Sequence, residues 1–232
     1  MTTDQKTKLI GPISIGIIMD GNRRWAKAKG VPYLEGHRTG YFKLKDVVRW
    51  ANELGIKYVT AYAFSTENWN RTPEEVKYIL DLFKWVLETE IASVKKDNIC
   101  LRFIGDKKRF SENLQNLMDK AEKETASNTG PILLLCVSYG GRSELLEAVK
   151  GIVENREKIT AEVMDKYVMT AGTPDPDMVI RTGGEMRLSG FLPWQSVYSE
   201  LFFTKTLWPD LSEEEFKSLI EEFSKRKRNM GK

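Results

Sequence analysis

"ISIGIIMDGNRRWAKAKG", residues 13–30, decides the fold. Its apolar run, "ISIGIIM" (13–19), leads without a break into Asp20, Gly21 and Asn22, and then into Arg23, Arg24 and Trp25. A near-continuous apolar run suits a strand buried on both faces. An acid and a glycine at its end, with a cationic helix starting behind them, put charge at the carboxyl end of that strand. Open α/β sheets bind their ligands there.

Outward from this stretch, short apolar, β-branched runs recur at 56–64, 99–104, 131–138, 177–181 and 201–204. Helical periods lie between them: Leu44, Val47, Val48, Ala51 and Leu54 step at three and four, as do Val76, Ile79, Leu80, Phe83, Leu87 and Ile91. "SEEE" at 212–215 reads as a capping box that opens a last helix. Strands alternating with helices predict a single α/β domain with a mostly parallel central sheet of about six strands, covered by helices. The domain is expected over 13–232, with 1–12 a flexible N-terminus. A chain of 232 residues buries roughly 70% of its unfolded surface and needs no staples.

Composition is that of a globule, 41% hydrophobic and 30% charged, and 36 Lys and Arg against 33 Asp and Glu leave a net charge of +3. That balance does not by itself imply nucleic acid, and no nucleic-acid partner is expected, although composition does not show whether the arginines cluster. Cys100 and Cys136 fall inside apolar runs and read as buried strand thiols, which suits a reducing compartment. Residues 1–10 lack the apolar core of a signal peptide, and no run reaches 18 apolar residues, so the expected location is cytoplasmic. The basic end "KRKRNMGK" reads as a solvated helix end.

The residues that follow successive strands are Asp20 to Arg24, "STENWNR" (65–71), "YGGR" (139–142) and "RTGGEMRLSG" (181–190). They gather Arg23, Arg24, Arg71, Arg181 and Arg187 toward one rim. Guanidinium forks match phosphate oxygens in pairs, and backbone N–H groups at a helix start after Gly21 hold a further phosphate. Asp20 reads either as a helix cap or as the ligand of a hard cation such as Mg2+. The pattern is that of a diphosphate site, and neither a Walker loop nor GxGxxG occurs.

"MDGNRRWAK", "EGH" with His37, "AFSTENWNR", "IRTGGEMRLSGFLPWQ" and "YSELFFTKTLWPDL" together resemble the cis-prenyltransferases, typified by undecaprenyl diphosphate synthase, in order and spacing. That resemblance implies a Mg2+-dependent homodimer that condenses isopentenyl diphosphate, with Z geometry, onto an allylic diphosphate such as farnesyl or geranylgeranyl diphosphate. It also implies an apolar tunnel and peripheral contact with a membrane for product release. By resemblance Asp20 is the metal and catalytic aspartate, with Glu200 a second acid linked to the metal. Gly21, Asn22, Arg23, Arg24 and His37 match the allylic diphosphate cradle, while Trp25 and Phe64 match the tunnel mouth. Ser65, Thr66, Glu67, Asn68 and Trp69 match a mobile loop in which Asn68 assists proton removal, and Arg71, Arg181, Arg187, Leu188 and Ser189 match the isopentenyl diphosphate site. The apolar helices at 41–54 and 73–94 serve either as tunnel walls or as ordinary core.

Three positions depart from the family pattern: Tyr33 and Met186, where an arginine and a histidine are usual, and Asn229-Met230-Gly231 in place of Arg-x-Gly. A non-catalytic partner subunit, as in heteromeric relatives, is the alternative. Such subunits lose the aspartate and the loop residues, whereas Asp20, Asn68, Arg71, Arg181 and Arg187 are present here. The all-α trans-prenyltransferases need a DDxxD motif that this chain lacks.

Overall fold

Ser14–Ile18 form β1, buried at every position because both faces of its sheet are covered. In the computed structural model, which describes residues 11–227, β1 pairs in parallel with β2 (Tyr58–Ser65) on one side and β5 (Met178–Arg181) on the other. With β3 (Cys100–Ile104), β4 (Ile132–Tyr139) and β6 (Glu200–Phe203) the sheet has six strands, all parallel, in the order β3-β4-β2-β1-β5-β6. Each apolar run of the sequence is one strand, displaced by no more than two residues at either end. Of the expected N-terminal segment 1–12, the first ten residues lie outside the described residues. So does 228–232, with the Asn229 to Gly231 departure.

Eight helices fill the intervals: α1 (Asn22–Lys29), α2 (Tyr33–Glu53), α3 (Pro73–Thr89), α4 (Ile91–Lys96), α5 (Glu112–Thr125), α6 (Gly141–Glu154), α7 (Ala161–Tyr167) and α8 (Glu213–Lys225), counted among the described residues. Ile15, Ile17, Val59, Ala61, Met178 and Ile180 point to one face, where they pack with Val47 and Ala51 of α2, Leu114 and Met118 of α5, and Phe216 and Ile220 of α8. The alternate residues Ile18, Leu134, Cys136 and Val179 pack against Phe191 and Leu192 on the other. Beside them α6 and α7 close a smaller cluster with Trp194. Both cysteines are free and buried on neighbouring strands, as their apolar context requires. Ser212 caps α8 by accepting the Glu215 N–H at 3.1 Å. No helix among the described residues is long and apolar enough to cross a membrane.

Two glycines shape the turn beyond β1. Gly21 has φ 118°, a conformation that favours residues without Cβ, and it starts α1 with no side-chain cap on the first N–H groups. Gly36 lets α2 pass close over α1: a Cβ there would meet the Asn22 carbonyl oxygen at 2.3 Å. Gly36→Ala is therefore expected to destabilise the fold. Overpacking costs roughly 1–3 kcal/mol, more than the ~1 kcal/mol that alanine adds to a helix. A lower urea midpoint with an unchanged slope is expected; an equal or higher midpoint would show that α1 moves aside freely.

Candidate active site

The parallel sheet brings the ends of β1 and β5 level, with Ile18 beside Arg181. Asp20, two residues past β1, accepts Arg24 Nη2 at 3.0 Å on Oδ1 and Arg181 Nη2 at 2.9 Å on Oδ2. Its backbone is held as well, the carbonyl accepting the Thr182 hydroxyl at 2.7 Å and the Trp208 N–H at 3.0 Å. Arg24 reaches onward to the Gly183 carbonyl at 2.7 Å. Arg181, nearly buried, donates its other nitrogen to the Arg187 carbonyl and to Ser189 Oγ at 2.9 Å. Asp20 does not cap α1; its carboxylate joins β1, α1 and the 182–190 loop.

A second knot lies across the same opening. Glu75 of α3 accepts Arg71 Nη1 at 2.9 Å and pairs with Arg23 Nη1 at 3.5 Å. The Arg23 guanidinium also lies 5.0 Å from the centre of the Tyr33 ring, so the tyrosine at this departure stacks on a cradle arginine. His37, on α2, is held neutral: burial first and the Arg71 charge second lower its pKa to about 4, Glu75 opposing and Arg23 adding to the fall. Its Nε2 and the Asn22 Oδ1 are buried without a hydrogen-bond partner in the chain.

The 65–71 segment is a single 3-10 turn, Thr66–Asn70, closed by a reciprocal cap in which the Ser65 N–H donates to Asn68 Oδ1 at 3.1 Å. Thr66 Oγ1 lies so near Gly140 that a Cβ there would meet it at 2.5 Å. Trp69 donates to Ser138 Oγ at 3.0 Å and packs edge-on to Phe64. Glu67 acts on Tyr62, whose phenol is pushed well up by burial first and by this charge second. On the 182–190 loop Arg187 pairs with Glu185 and stays exposed, and Leu188 packs into the second cluster.

Two cavities meet here. The first, about 430 Å³, is a cationic cradle lined by Asp20, Gly21, Asn22, Arg23, Arg24, Lys27, Tyr33, His37 and Arg71. The second, about 150 Å³, is apolar and runs between the sheet and α2 and α3, past Leu44, Val48, Phe64, Phe83 and Phe103. Met19, Asn22 and His37 line both. On α3 only Leu87 is fully buried; Ile79, Leu80 and Phe83 are turned to the cavity and stay half-buried.

Several expected placements differ. Arg71, grouped by resemblance with Arg181 and Arg187, lines the cradle on the Arg23 side. The Arg181 fork is spent on Asp20 and the 187–189 loop. Trp25 lines neither cavity; its indole turns to Asp210, donating at 2.7 Å, because its position on α1 faces away from the cradle. Glu200 is a correction of greater weight. Register sets it beside Met178 and so level with Ile15, five residues before Asp20. At ~3.3 Å per residue that is roughly 16 Å back along the strand direction, and two strands over, at the amino end of the sheet. It pairs there with Arg226 at 2.7 Å, so within one chain the two acids do not share an ion.

Glu75 and Lys27 line or join the cradle and escape the sequence reading. The available signal was their spacing, each four residues past a cradle arginine, within α1 for Lys27 and across the start of α3 for Glu75. A Mg2+ ion is commonly held by one or two carboxylates plus substrate phosphates. Asp20, its side chain 29% exposed and with lone pairs left over, fits that mode. An all-protein cage does not form: among the described residues no three His, Cys, Asp or Glu gather.

Residues 18–231 match the model of the undecaprenyl diphosphate synthase family. An isoprenyl transferase of Thermotoga maritima is 43% identical over 225 residues, covering 95% of this chain and 97% of that one. One from Aquifex pyrophilus is 46% identical over 222 residues, 95% of this chain and 96% of that one. Among solved structures, lavandulyl diphosphate synthase from Lavandula x intermedia, in complex with dimethylallyl diphosphate, superposes with a TM-score of 0.89 at 35% identity, over 96% of this chain and 99% of that one.

Neutral His37 makes the fold acid-sensitive. Its folded pKa of about 4 lies below the ordinary 6.5, so the unfolded chain takes up the proton first as pH falls. The stability this group lends is whole above pH 6.5 and is lost down to about pH 4, in total on the order of 3 kcal/mol. In His37→Gln the decline of urea stability over that window is expected to be shallower by about that amount. An unchanged slope would contradict the neutral assignment.

Proposed function

The chain belongs to the undecaprenyl diphosphate synthase family and is a prenyl transferase, and we propose that it condenses isopentenyl diphosphate repeatedly, with Z geometry, onto an allylic diphosphate (farnesyl or geranylgeranyl diphosphate). The product is a long-chain polyprenyl diphosphate, the precursor of a glycosyl carrier lipid. The observation that carries this reading is the wall shared by the cationic cradle and the apolar cavity. An amphiphile with an anionic head and a hydrocarbon tail spans both, its head among Arg23, Arg24 and His37 and its tail under Phe64 and Phe83.

The chemistry begins with heterolysis of the allylic C–O bond. Negative charge builds on the departing diphosphate, in the cradle lined by Arg23, Arg24 and Arg71 at the start of α1, whose first N–H groups have no side-chain cap. Asp20 would hold a Mg2+ ion, which would supply further stabilisation of that charge. C4 of isopentenyl diphosphate, oriented by the 187–189 loop that Arg181 clamps, attacks the allylic carbon. A proton then leaves C2. His37, neutral, is an acceptor of hydrogen bonds in the cradle rather than a fixed charge. The Asn68 carbonyl oxygen is engaged by the Ser65 N–H, and an amide is no strong base, so diphosphate itself takes the proton.

The proposal extends to a homodimer, supported by an exposed apolar stripe on α6 at Leu146, Val149 and Val153 and by exposed Val197 and Tyr198. It places the enzyme in the cytoplasm, with peripheral membrane contact for release of its long apolar product. A non-catalytic partner subunit is disfavoured by the completeness of the Asp20 clamp and the cradle.

The test is incorporation of labelled isopentenyl diphosphate with Mg2+ and C10, C15 or C20 starters; Z-configured products longer than the starter are expected, and no incorporation with any starter would overturn the reading. Asp20→Ala is expected to lower kcat by a factor of several hundred, about 3–4 kcal/mol, in a protein that still folds but with lower stability, because Arg181 loses its anionic partner. Retention of more than about a tenth of the wild-type kcat at saturating Mg2+ would sink the role of Asp20.

A further inference from the structure

Glu75 puts a carboxylate where an anion site is least served by one. Its side chain, 12% exposed, engages Arg71 and Arg23, which come from different segments and both line the cradle. A diphosphate among Arg23, Arg71 and His37 needs the same guanidinium protons that Glu75 accepts. Asp20 has an evident employment with Arg24, Arg181 and a metal; Glu75 faces the other half of the cradle, with no part in C–O cleavage.

We propose that Glu75 is a positioning residue that competes with inorganic diphosphate for Arg23 and Arg71 and so hastens its departure. This rests on the reading of the cradle as the seat of the leaving group. Repeated condensation leaves one inorganic diphosphate in the cradle per cycle. It must go before the elongated diphosphate takes its place, and product release limits many such cycles. A polyanion among Arg23, Arg24, Lys27 and Arg71 is held tightly. A fixed carboxylate in a partly buried site weakens that hold through like charge, and it gives both arginines a partner as the anion leaves. The penalty falls on every diphosphate, but the allylic one offsets it with hydrocarbon buried in the apolar cavity. Inorganic diphosphate has no such tail. Glu75 thereby favours the tailed anion over the bare one.

The experiment titrates inorganic diphosphate into the full-length protein with Mg2+ by calorimetry and measures its product inhibition, for wild type, Glu75→Gln and Glu75→Asp. For Glu75→Gln the dissociation and inhibition constants of diphosphate are expected to fall about tenfold, equivalent to about 1.4 kcal/mol. Its steady-state kcat should fall more than its single-turnover rate. Glu75→Asp, which withdraws the carboxylate by one methylene, should tighten diphosphate by a smaller factor and decides the matter if Glu75→Gln does not fold. A merely structural link between α1 and α3 would instead leave the affinity unchanged or weaken it, and either result in both variants overturns the inference alone. Wild-type protein that binds no diphosphate overturns the cradle reading together with it.

Discussion

Everything at this site hangs on the pairing of Asp20 with Arg24 and Arg181. Arg181 lies in the sheet with its side chain only 6% exposed, and a guanidinium so desolvated needs an anionic partner. Removing one member of a buried pair typically costs 3–5 kcal/mol, because the other charge is left uncompensated. The clamp fixes the end of β1, the first turn of α1 and the 182–190 loop relative to one another. From that arrangement follow both the orientation of the start of α1 and the place of Ser189 and the Arg187 carbonyl against Arg181.

The sheet supplies a second constraint. All six strands run parallel, so their carboxyl ends lie together and the polar residues after them share one rim. The face under that rim is not fully packed. Where α3 crosses it, Ile79, Leu80 and Phe83 pack against the core, Phe83 edge-on to Phe103 of β3, yet they also line the apolar cavity and stay half-buried. Protein interiors are ordinarily close-packed, so a half-buried apolar face next to a cationic cradle is the feature on which the proposed amphiphile site rests. Met19, Asn22 and His37 form the wall between the cationic cradle and the apolar cavity.

The strands were legible because a strand covered on both faces is written as an uninterrupted apolar run, which a surface helix never is. The rim was legible because those runs end in charge. The amino-terminal half of α2 was not, since Gly36 and Gly40 meet α1 there instead of apolar side chains. Glu75 looked like an ordinary helix-start acid, and only the fold shows that Arg23 arrives at it from another element. Trp25 and Glu200 were misplaced for a related reason. Which side of α1 meets the sheet, and which rung of β5 meets β6, are decided by tertiary packing and register. A motif fixes the residue but not the rung.

The most direct test is a crystal structure of the wild-type protein with a non-hydrolysable allylic thiodiphosphate and Mg2+. The diphosphate is expected between Arg23, Arg24 and His37, with the metal on Asp20 and the hydrocarbon passing Met19 into the cavity beneath Phe64 and Phe83. A diphosphate bound outside this cradle, or a hydrocarbon chain lying over the surface with the cavity unfilled, would contradict the account.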